Sequence, residues 1–122
     1  MKLFVYGTLK RGHCRAFVLD AQRFLREAVT QPRYRLHDVG PYPALVQASE
    51  NGKAIEGELW EIEDALFTKL DAIEGVDVNL FARRAIAIES ETEVSAYFYL
   101  RDVSSLPDLG PRWERLTPFA EL

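Results

Sequence analysis

The stretch Val5-Tyr6-Gly7-Thr8-Leu9-Lys10-Arg11-Gly12 joins a predicted buried strand to a sharp turn. The strand covers residues 3–6, which form an apolar run rich in aromatic and β-branched side chains. Gly7 then lets the backbone turn and lets another molecule approach without a Cβ in the way. Consecutive free amides in such a turn could hold an anion. The stretch predicts a ligand-binding turn, and the alternative is an ordinary glycine turn at a strand end.

Composition limits the classes of protein to which the chain could belong. Its 122 residues fit one domain, 1–122, that buries a core without a disulfide or a metal. The single cysteine excludes an internal disulfide. The net charge is −4, from 15 basic and 19 acidic residues, and no basic stripe or long apolar segment is present. We therefore expect a cytoplasmic protein without a nucleic acid or membrane partner.

Most of the remaining segments predict strands. Alternating or continuous apolar patterns predict strands over 27–39, 44–46, 54–62, 81–88 and 94–100. Helical spacing predicts a helix over 63–74 that ends at Gly75, and a short helix or covering segment over 16–25. Pro107, Gly110, Pro111 and Pro118 exclude a long element in the tail, where Trp113 is expected to pack against the core. The pattern indicates an α+β fold with a closed or half-closed sheet.

Glu74 is the candidate catalytic carboxylate. It lies in the last turn of the predicted helix, facing the negative end of the helix dipole, with apolar Ile73 and Val76 nearby and Asp71 one turn earlier. Each of these features would raise the pKa of Glu74 toward the value that a general base needs near neutral pH. A solvated surface glutamate at a helix end is the alternative.

The other reactive residue types give weaker signals. His13 and His37 lack the spacing of metal ligands, so no metal site is predicted. Cys14 is interpreted as a small buried thiol, and Lys10 and Arg11 as a solvated turn. Tyr97 and Tyr99 alternate along one strand and should share a face, either filling the core or presenting a hydroxyl to a ligand.

Six ordered blocks of sequence resemble the γ-glutamylcyclotransferase-like superfamily, in the branch of AIG2-like proteins and γ-glutamylamine cyclotransferases. The blocks span most of the chain, and the first is the most specific. They are Val5-Tyr6-Gly7-Thr8-Leu9-Lys10-Arg11-Gly12, Tyr42-Pro43-Ala44-Leu45-Val46, Ile55-Glu56-Gly57-Glu58-Leu59-Trp60, Leu70-Asp71-Ala72-Ile73-Glu74-Gly75, Phe81-Ala82-Arg83-Arg84 and Ala96-Tyr97-Phe98-Tyr99.

The resemblance implies a compact mixed β-barrel with a few flanking helices and a cavity at the end of the first strand. It implies that Glu74 is the acid/base residue and that the cradle for the substrate is formed by Tyr6, Gly7, Thr8 and Leu9. Further candidates for the substrate cavity are Tyr42, Arg83 and Tyr99. The implied partner is a small γ-glutamyl compound, and no cofactor is implied.

The implied reaction closes a γ-glutamyl amine or amide into 5-oxoproline and releases the free amine. Many relatives have a tyrosine where this chain has Phe81, so a hydroxyl contact to the substrate is absent here and the leaving amine is left open. A protein of the same fold that binds a small molecule without turnover is the alternative function. The sequence does not set the oligomeric state.

Overall fold

The computed structural model describes residues 1–114 and shows mostly strands, as the α+β prediction requires. The strands are β1 Lys2–Val5, β2 Arg23–Val29, β3 Tyr34–Asp38, β4 Pro43–Gln47, β5 Glu56–Glu61, β6 Phe81–Ala85 and β7 Val94–Tyr99. Residues 1–114 contain one α-helix, α1, which covers Phe67–Ile73, and short 3₁₀ turns cover Ala16–Leu19, Asp64–Leu66 and Val76–Val78. The α+β fold class is confirmed.

Five strands form one mixed sheet in the order β2-β5-β1-β7-β6, and β3 pairs with β4 as a separate hairpin. The central strand β1 runs antiparallel to β5 and parallel to β7. The two outer edges of the sheet meet beyond β2 and β6, where Gln31 N donates to Ala87 O at 2.9 Å and Glu89 N donates to Val29 O at 3.1 Å. These hydrogen bonds, with a bridge between Thr30 and Ile88, bring the sheet edges together into a barrel.

Strand β1 lies between two apolar clusters, which explains its continuous apolar sequence. Alternate side chains of a strand point to opposite faces. Leu3 and Val5 join a cluster that includes Phe67 and Leu70 of α1. Phe4 and Tyr6 join a second cluster with side chains of the β3-β4 hairpin. A strand segment that is buried on both faces needs apolar side chains on both faces. This burial also fixes the position at which β1 ends and the turn at Gly7 begins.

Helix α1 ends where the sequence predicts. Gly75 adopts a left-handed conformation with φ of 69°, which stops the helix directly after Glu74. The predicted first turn of this helix, 63–66, is instead a 3₁₀ turn over Asp64–Leu66. Within residues 1–114, no helix has the length and apolar character needed to cross a bilayer.

Two sequence-based element assignments were wrong. The segment 27–39 is two strands, because β2 ends at Val29 and β3 begins at Tyr34, with Pro32 in the turn between them. The segment 16–25, expected as a short helix or covering segment, is a 3₁₀ turn over Ala16–Leu19 followed by the start of β2, in which Phe24 packs edge-on against Trp60 with ring centroids 5.5 Å apart. Pairing of β2 with β5 and of β3 with β4 overrides the weak local patterns of these segments.

The tail crosses the β3-β4 hairpin and then enters the core. Leu109 N donates to Leu36 O at 2.8 Å, and Asp38 N donates to Pro107 O at 2.9 Å. Trp113 is 1% exposed, which confirms the predicted packing of its side chain against the core. Pro118 lies outside the described residues.

Gly7 follows β1 at a point where the chain has no room for a side chain. A Cβ built at this position would lie 2.8 Å from both Cγ and Cδ of Pro43. The proline ring is rigid, so such a contact would have to push the turn away from β4. The glycine is required here by a close approach between two segments.

We expect Gly7→Ala to lower the free energy of unfolding by about 1–3 kcal/mol, because the new methyl group overlaps the Pro43 ring. Urea denaturation measures the effect. The double variant Gly7→Ala/Pro43→Ala removes the ring and should be less destabilised than the sum of its two single variants. Strict additivity of the two effects would show that the overlap is not the cause.

Candidate active site

The turn after β1 contains three backbone amides that have no hydrogen-bond acceptor in the described part of the chain. Lys10 N donates to Gly7 O at 3.0 Å, and Arg15 N donates to Thr8 O at 2.9 Å. These two hydrogen bonds stabilise the turn and use the carbonyl oxygens of Gly7 and Thr8, not the N–H groups of these residues. The N–H groups of Gly7, Thr8 and Leu9 donate to no acceptor within residues 1–114. Because buried amides are normally paired, three consecutive free donors form a ready site for an anionic group.

Glu58 of β5 holds this turn from behind. Its side chain is buried and accepts hydrogen bonds from Arg11 N at 3.1 Å, Arg11 Nε at 3.0 Å and Trp60 Nε1 at 3.2 Å. Lys10 Nζ donates to Trp113 O at 2.9 Å. The two cations of the turn, interpreted from sequence as solvated, therefore attach it to the scaffold.

A cavity of about 90 Å³ opens beside the turn. Its wall is mainly apolar and comes from β1, the turn, β4, the end of α1, β6 and β7. The described residues that line it are Phe4, Val5, Tyr6, Gly7, Thr8, Leu9, Arg15, Tyr42, Pro43, Ile73, Glu74, Leu80, Phe81 and Tyr97. The structure thus brings together five predicted binding residues, Tyr6 to Leu9 and Tyr42, with Glu74.

Glu74 is the only acidic side chain among the described residues of this wall. It caps the C-terminal end of α1, and within residues 1–114 its carboxylate has neither a hydrogen-bond donor nor an ion-pair partner. Burial raises the pKa of Glu74 to about 7, and the nearby positive charge of Arg15 acts in the opposite direction. Such a group exchanges a proton readily near neutral pH.

Asp71 does not act on Glu74 as the sequence suggested. Its Oδ1 accepts a hydrogen bond from Tyr97 Oη at 2.6 Å and lies 3.2 Å from Arg83 Nε. Arg83 also stacks over the Phe67 ring at 4.2 Å. The ion pair offsets the charge of Asp71, and the pKa of Glu74 is raised by burial instead. The same contacts fasten α1 to β6 and β7 one turn before Glu74.

Arg83 and Tyr99 lie outside the cavity wall. Arg83 is engaged by Asp71, and Tyr99 packs beside the wall in an aromatic cluster with Tyr42 and Phe81. Ring centroids in this cluster are 5.3 Å apart for Phe81 and Tyr99 and 5.8 Å apart for Tyr42 and Phe81. Burial raises the pKa of the Tyr42 hydroxyl, as does the neighbouring Tyr99. Tyr97 and Tyr99 belong to the same side-chain cluster, as their spacing predicts.

Arg15 is the lining residue that the sequence did not reveal. It follows the turn in a segment without periodicity, and its exposed side chain reaches the wall only because the turn folds back on Thr8. No motif or spacing could have identified it. Among residues 1–114, no group of three histidine, cysteine or acidic side chains is placed to hold a metal ion.

Comparison with known proteins gives a consistent result. The family described as "Gamma-glutamyl cyclotransferase, AIG2-like" matches residues 3–115. A Vibrio cholerae protein named, provisionally, as a gamma-glutamylcyclotransferase is 36% identical over 63% of this chain, and the match spans 64% of that protein. A Drosophila melanogaster protein with the same provisional activity in its name is 30% identical over 88% of this chain and 72% of its own length.

A solved structure resembles the fold over nearly its whole length. The crystal structure of an AIG2-like protein from Mus musculus superposes with a TM-score of 0.81, at 23% identity, and covers 98% of this chain and 91% of its own. At this identity the likeness establishes the shared fold.

The pKa of Glu74 makes stability depend on pH. An ordinary carboxyl with a pKa of 4.5 in the unfolded chain loses its proton before Glu74, at about 7, does so in the folded protein. The free energy of unfolding should therefore fall as pH rises from 4.5 to 7, by roughly 2–3 kcal/mol from this group, since one pKa unit equals about 1.4 kcal/mol. Urea denaturation across this range measures the slope.

Glu74→Gln should remove that part of the slope, because glutamine does not titrate. Glu50→Gln, at an exposed carboxyl outside the cavity wall, is the matched control and should leave the slope in place. Arg15→Gln should extend the fall above pH 7, because it removes the positive charge that opposes the raised pKa. Identical slopes in the wild type and Glu74→Gln would show that Glu74 is solvated.

Proposed function

This chain belongs to the gamma-glutamyl cyclotransferase, AIG2-like family, and on that premise we propose that it converts a γ-glutamyl amine or amide to 5-oxoproline and a free amine. One observation carries the proposal. A half-buried carboxyl, Glu74, shares a cavity with three backbone amides, and neither the carboxyl nor the amides have a partner among the described residues. A general base beside an anion site matches a substrate that carries both an α-ammonium and an α-carboxylate.

The amides of Gly7, Thr8 and Leu9 are proposed to bind the α-carboxylate of the substrate. These amides line the wall and have no acceptor among residues 1–114, and the cations Lys10 and Arg11 of the same turn are already engaged by the Trp113 carbonyl and by Glu58. Tyr6 closes one side of the site, because its hydroxyl donates to Tyr97 O and the ring is fixed in the core. This arrangement would hold the glutamyl chain folded so that its amine meets its own γ-carbonyl.

The reaction then needs one proton carrier. Glu74 takes a proton from the α-ammonium, and the resulting amine attacks the γ-carbonyl carbon to form the new C–N bond of the five-membered ring. The old C–N bond breaks as Glu74 gives this proton to the departing nitrogen. Glu74 then takes the surplus proton of the new ring nitrogen and passes it to the released amine, which leaves as an ammonium. The substrate equals the sum of the two products, so neither water nor a covalent enzyme intermediate is required.

Positioning supplies much of the rate in such a cyclisation. Holding two reacting groups of one molecule in contact can be worth an effective concentration on the order of 10⁵ M or more. The rigid turn and the mainly apolar wall suit this task because they fix the glutamyl part and exclude water. Phe81 lines the wall without a hydroxyl, so the neighbouring Tyr42 is the aromatic residue of the wall best placed to contact the leaving group.

The direct test is release of 5-oxoproline, measured by mass spectrometry, from γ-glutamyl amines, γ-glutamyl amino acids and glutathione. We expect release by the wild type and a fall of about 10²–10⁴-fold in kcat for Glu74→Gln, which keeps the shape of the side chain but not its basicity. Glu50→Gln is the control that should retain the rate. The rate should rise with pH through about 7, where Glu74 ionises.

Two results would contradict the proposal. Unchanged turnover in Glu74→Gln would remove this residue from the mechanism. Binding of γ-glutamyl compounds without any product release by the wild type would favour the alternative, a protein that binds the ligand but does not convert it.

A further inference from the structure

The helix that ends at Glu74 is short and depends on its neighbours for its position. Helix α1 has seven residues, no side chain caps its N-terminal end, and no basic side chain lies in its last turn. A helix of fewer than about 12 residues is marginal in isolation. The place of the Glu74 carboxyl is therefore set by the contacts that α1 makes with the rest of the fold.

One side chain of β6, that of Arg83, contacts two residues of α1. Its Cζ lies 4.2 Å from the centroid of the Phe67 ring, and its Nη2 donates to Asp71 Oδ2 at 3.4 Å. Its Nε lies 3.2 Å from Asp71 Oδ1. Phe67 and Asp71 are four residues apart, and Glu74 follows three residues later, so the three share one face of the helix. Arg83 thus holds the helix face that ends at Glu74.

Tyr97 joins this contact to the residue that precedes the turn. Its hydroxyl donates to Asp71 Oδ1 at 2.6 Å, and its backbone carbonyl accepts a hydrogen bond from the Tyr6 hydroxyl. Burial and the hydrogen bond to Asp71 raise the pKa of Tyr97, which keeps its hydroxyl a neutral donor. Among the side chains of α1, that of Asp71 alone forms hydrogen bonds or ion pairs with strands in the described part of the chain. One helix residue therefore links Glu74 to the start of the turn.

We propose that Arg83 is a positioning residue, which acts through Asp71 and Tyr97 to hold the carboxyl of Glu74 at a fixed place beside the turn after β1. The inference rests on the proposed cyclisation, in which Glu74 carries the proton. It replaces the contact with substrate that the sequence predicts for Arg83, whose side chain lies outside the cavity wall. Position matters for such a group, because a displacement of about 1 Å can lower a rate on the order of 10²-fold.

The groups that face Glu74 indicate what a loss of position would change. Arg15 supplies a positive charge, and the phenols of Tyr6, Tyr42 and Tyr97 lie near enough to sense the charge of Glu74. Burial raises the pKa of each phenol, and the charge of Glu74 adds to this effect, so all three are neutral near pH 7. Burial also raises the pKa of Glu74 from 4.5 to about 7. A displaced last turn would admit water and lower that pKa.

The decisive variant is Asp71→Ala/Arg83→Ala, which removes the ion pair and leaves the net charge unchanged. Partly exposed ion pairs add little to the free energy of unfolding, so the fold should persist. The substrate is the γ-glutamyl compound of the panel from which the wild type releases 5-oxoproline fastest. We expect kcat to fall by roughly 10–100-fold and KM to change by less than about threefold, because the turn that binds the glutamyl part is intact.

Arg83→Lys is the conservative variant. It keeps a positive charge near Asp71 but lacks the planar group that also covers the Phe67 ring. We expect it to recover part of the kcat that Arg83→Ala loses. Because it changes only one side chain, it remains informative if the double variant does not fold.

Arg35→Ala/Asp108→Asn is the matched control. Arg35 Nη1 lies 2.7 Å from Asp108 Oδ2, and the two side chains are 29% and 30% exposed, against 28% and 30% for Arg83 and Asp71. This pair joins β3 to the tail, and the asparagine can still accept the hydrogen bond from Gly110 N. The control should keep the wild-type kcat.

The pKa of Glu74, measured by NMR titration of its side-chain carboxyl, is a readout that a loss of stability alone would not move. We expect it to fall from about 7 toward 4.5 in Asp71→Ala/Arg83→Ala and to stay at about 7 in the control. Because the double variant removes one negative and one positive charge, the shift reports the exposure of Glu74 to water. The midpoint of the rate against pH should fall with it.

The outcomes separate the positioning role from the cyclisation. Wild-type kcat in the double variant would overturn the role of Arg83, and so would a rise in KM at unchanged kcat, which would assign Arg83 to binding of the substrate. A fall in kcat at an unchanged pKa would also overturn it, because Glu74 would have kept its surroundings. If the wild type releases no 5-oxoproline, the cyclisation is wrong and the titration decides alone: a lowered pKa supports the positioning role, and an unchanged pKa refutes it.

Discussion

The candidate site depends on the hydrogen bonds that the buried carboxylate of Glu58 accepts from the turn after β1. A buried charge is tolerated when donors satisfy it, and Glu58 receives the backbone and guanidinium of Arg11 together with the Trp60 indole. These contacts tie the turn to β5 from the side away from the cavity. Gly7, Thr8 and Leu9 line the cavity, and their amides have no acceptor among residues 1–114. Contacts with β5 and β4 set the shape of the turn. Its capacity to bind an anionic ligand comes from the backbone amides that have no acceptor among the described residues.

Three acidic residues near the site show how environment gives identical or similar groups different roles. Glu58 and Asp71 each receive donors and a cation, so they fasten the turn and the helix respectively. Glu74 is at the end of that helix and lacks such partners among the described residues, and burial raises its pKa to about 7. The carboxyl suited to proton transfer is therefore Glu74, which lacks such contacts among the described residues, whereas Glu58 and Asp71 have them.

Sequence reasoning succeeded where a local pattern and the tertiary structure agree. Strand β1 is apolar from Leu3 to Val5 because these residues are buried on both faces, and Gly75 ends α1 by adopting a conformation that glycine tolerates. The end of α1 at Glu74 and the turn at Gly7 could be located for the same reason, and the roles of Glu74 and Tyr6 in binding and chemistry stay predictions. The reasoning failed where pairing decides the structure, as at β2, where Phe24 follows strand β5 despite an irregular pattern. Arg15 and the engagement of Asp71 by Arg83 depend on contacts across the fold that no spacing encodes.

The contact between Lys10 and Trp113 has a consequence for synthesis of the protein. The two residues are 103 positions apart, and the same tryptophan stacks on His13 directly after the turn. Residues 7–10 leave the ribosome long before Trp113 does. The contacts of Lys10 and His13 with Trp113 can therefore form only after about 100 further residues have been synthesised. Contacts of such long range slow folding. A chain cut short before this tryptophan would contain every residue proposed for chemistry and still lack part of the scaffold behind the turn.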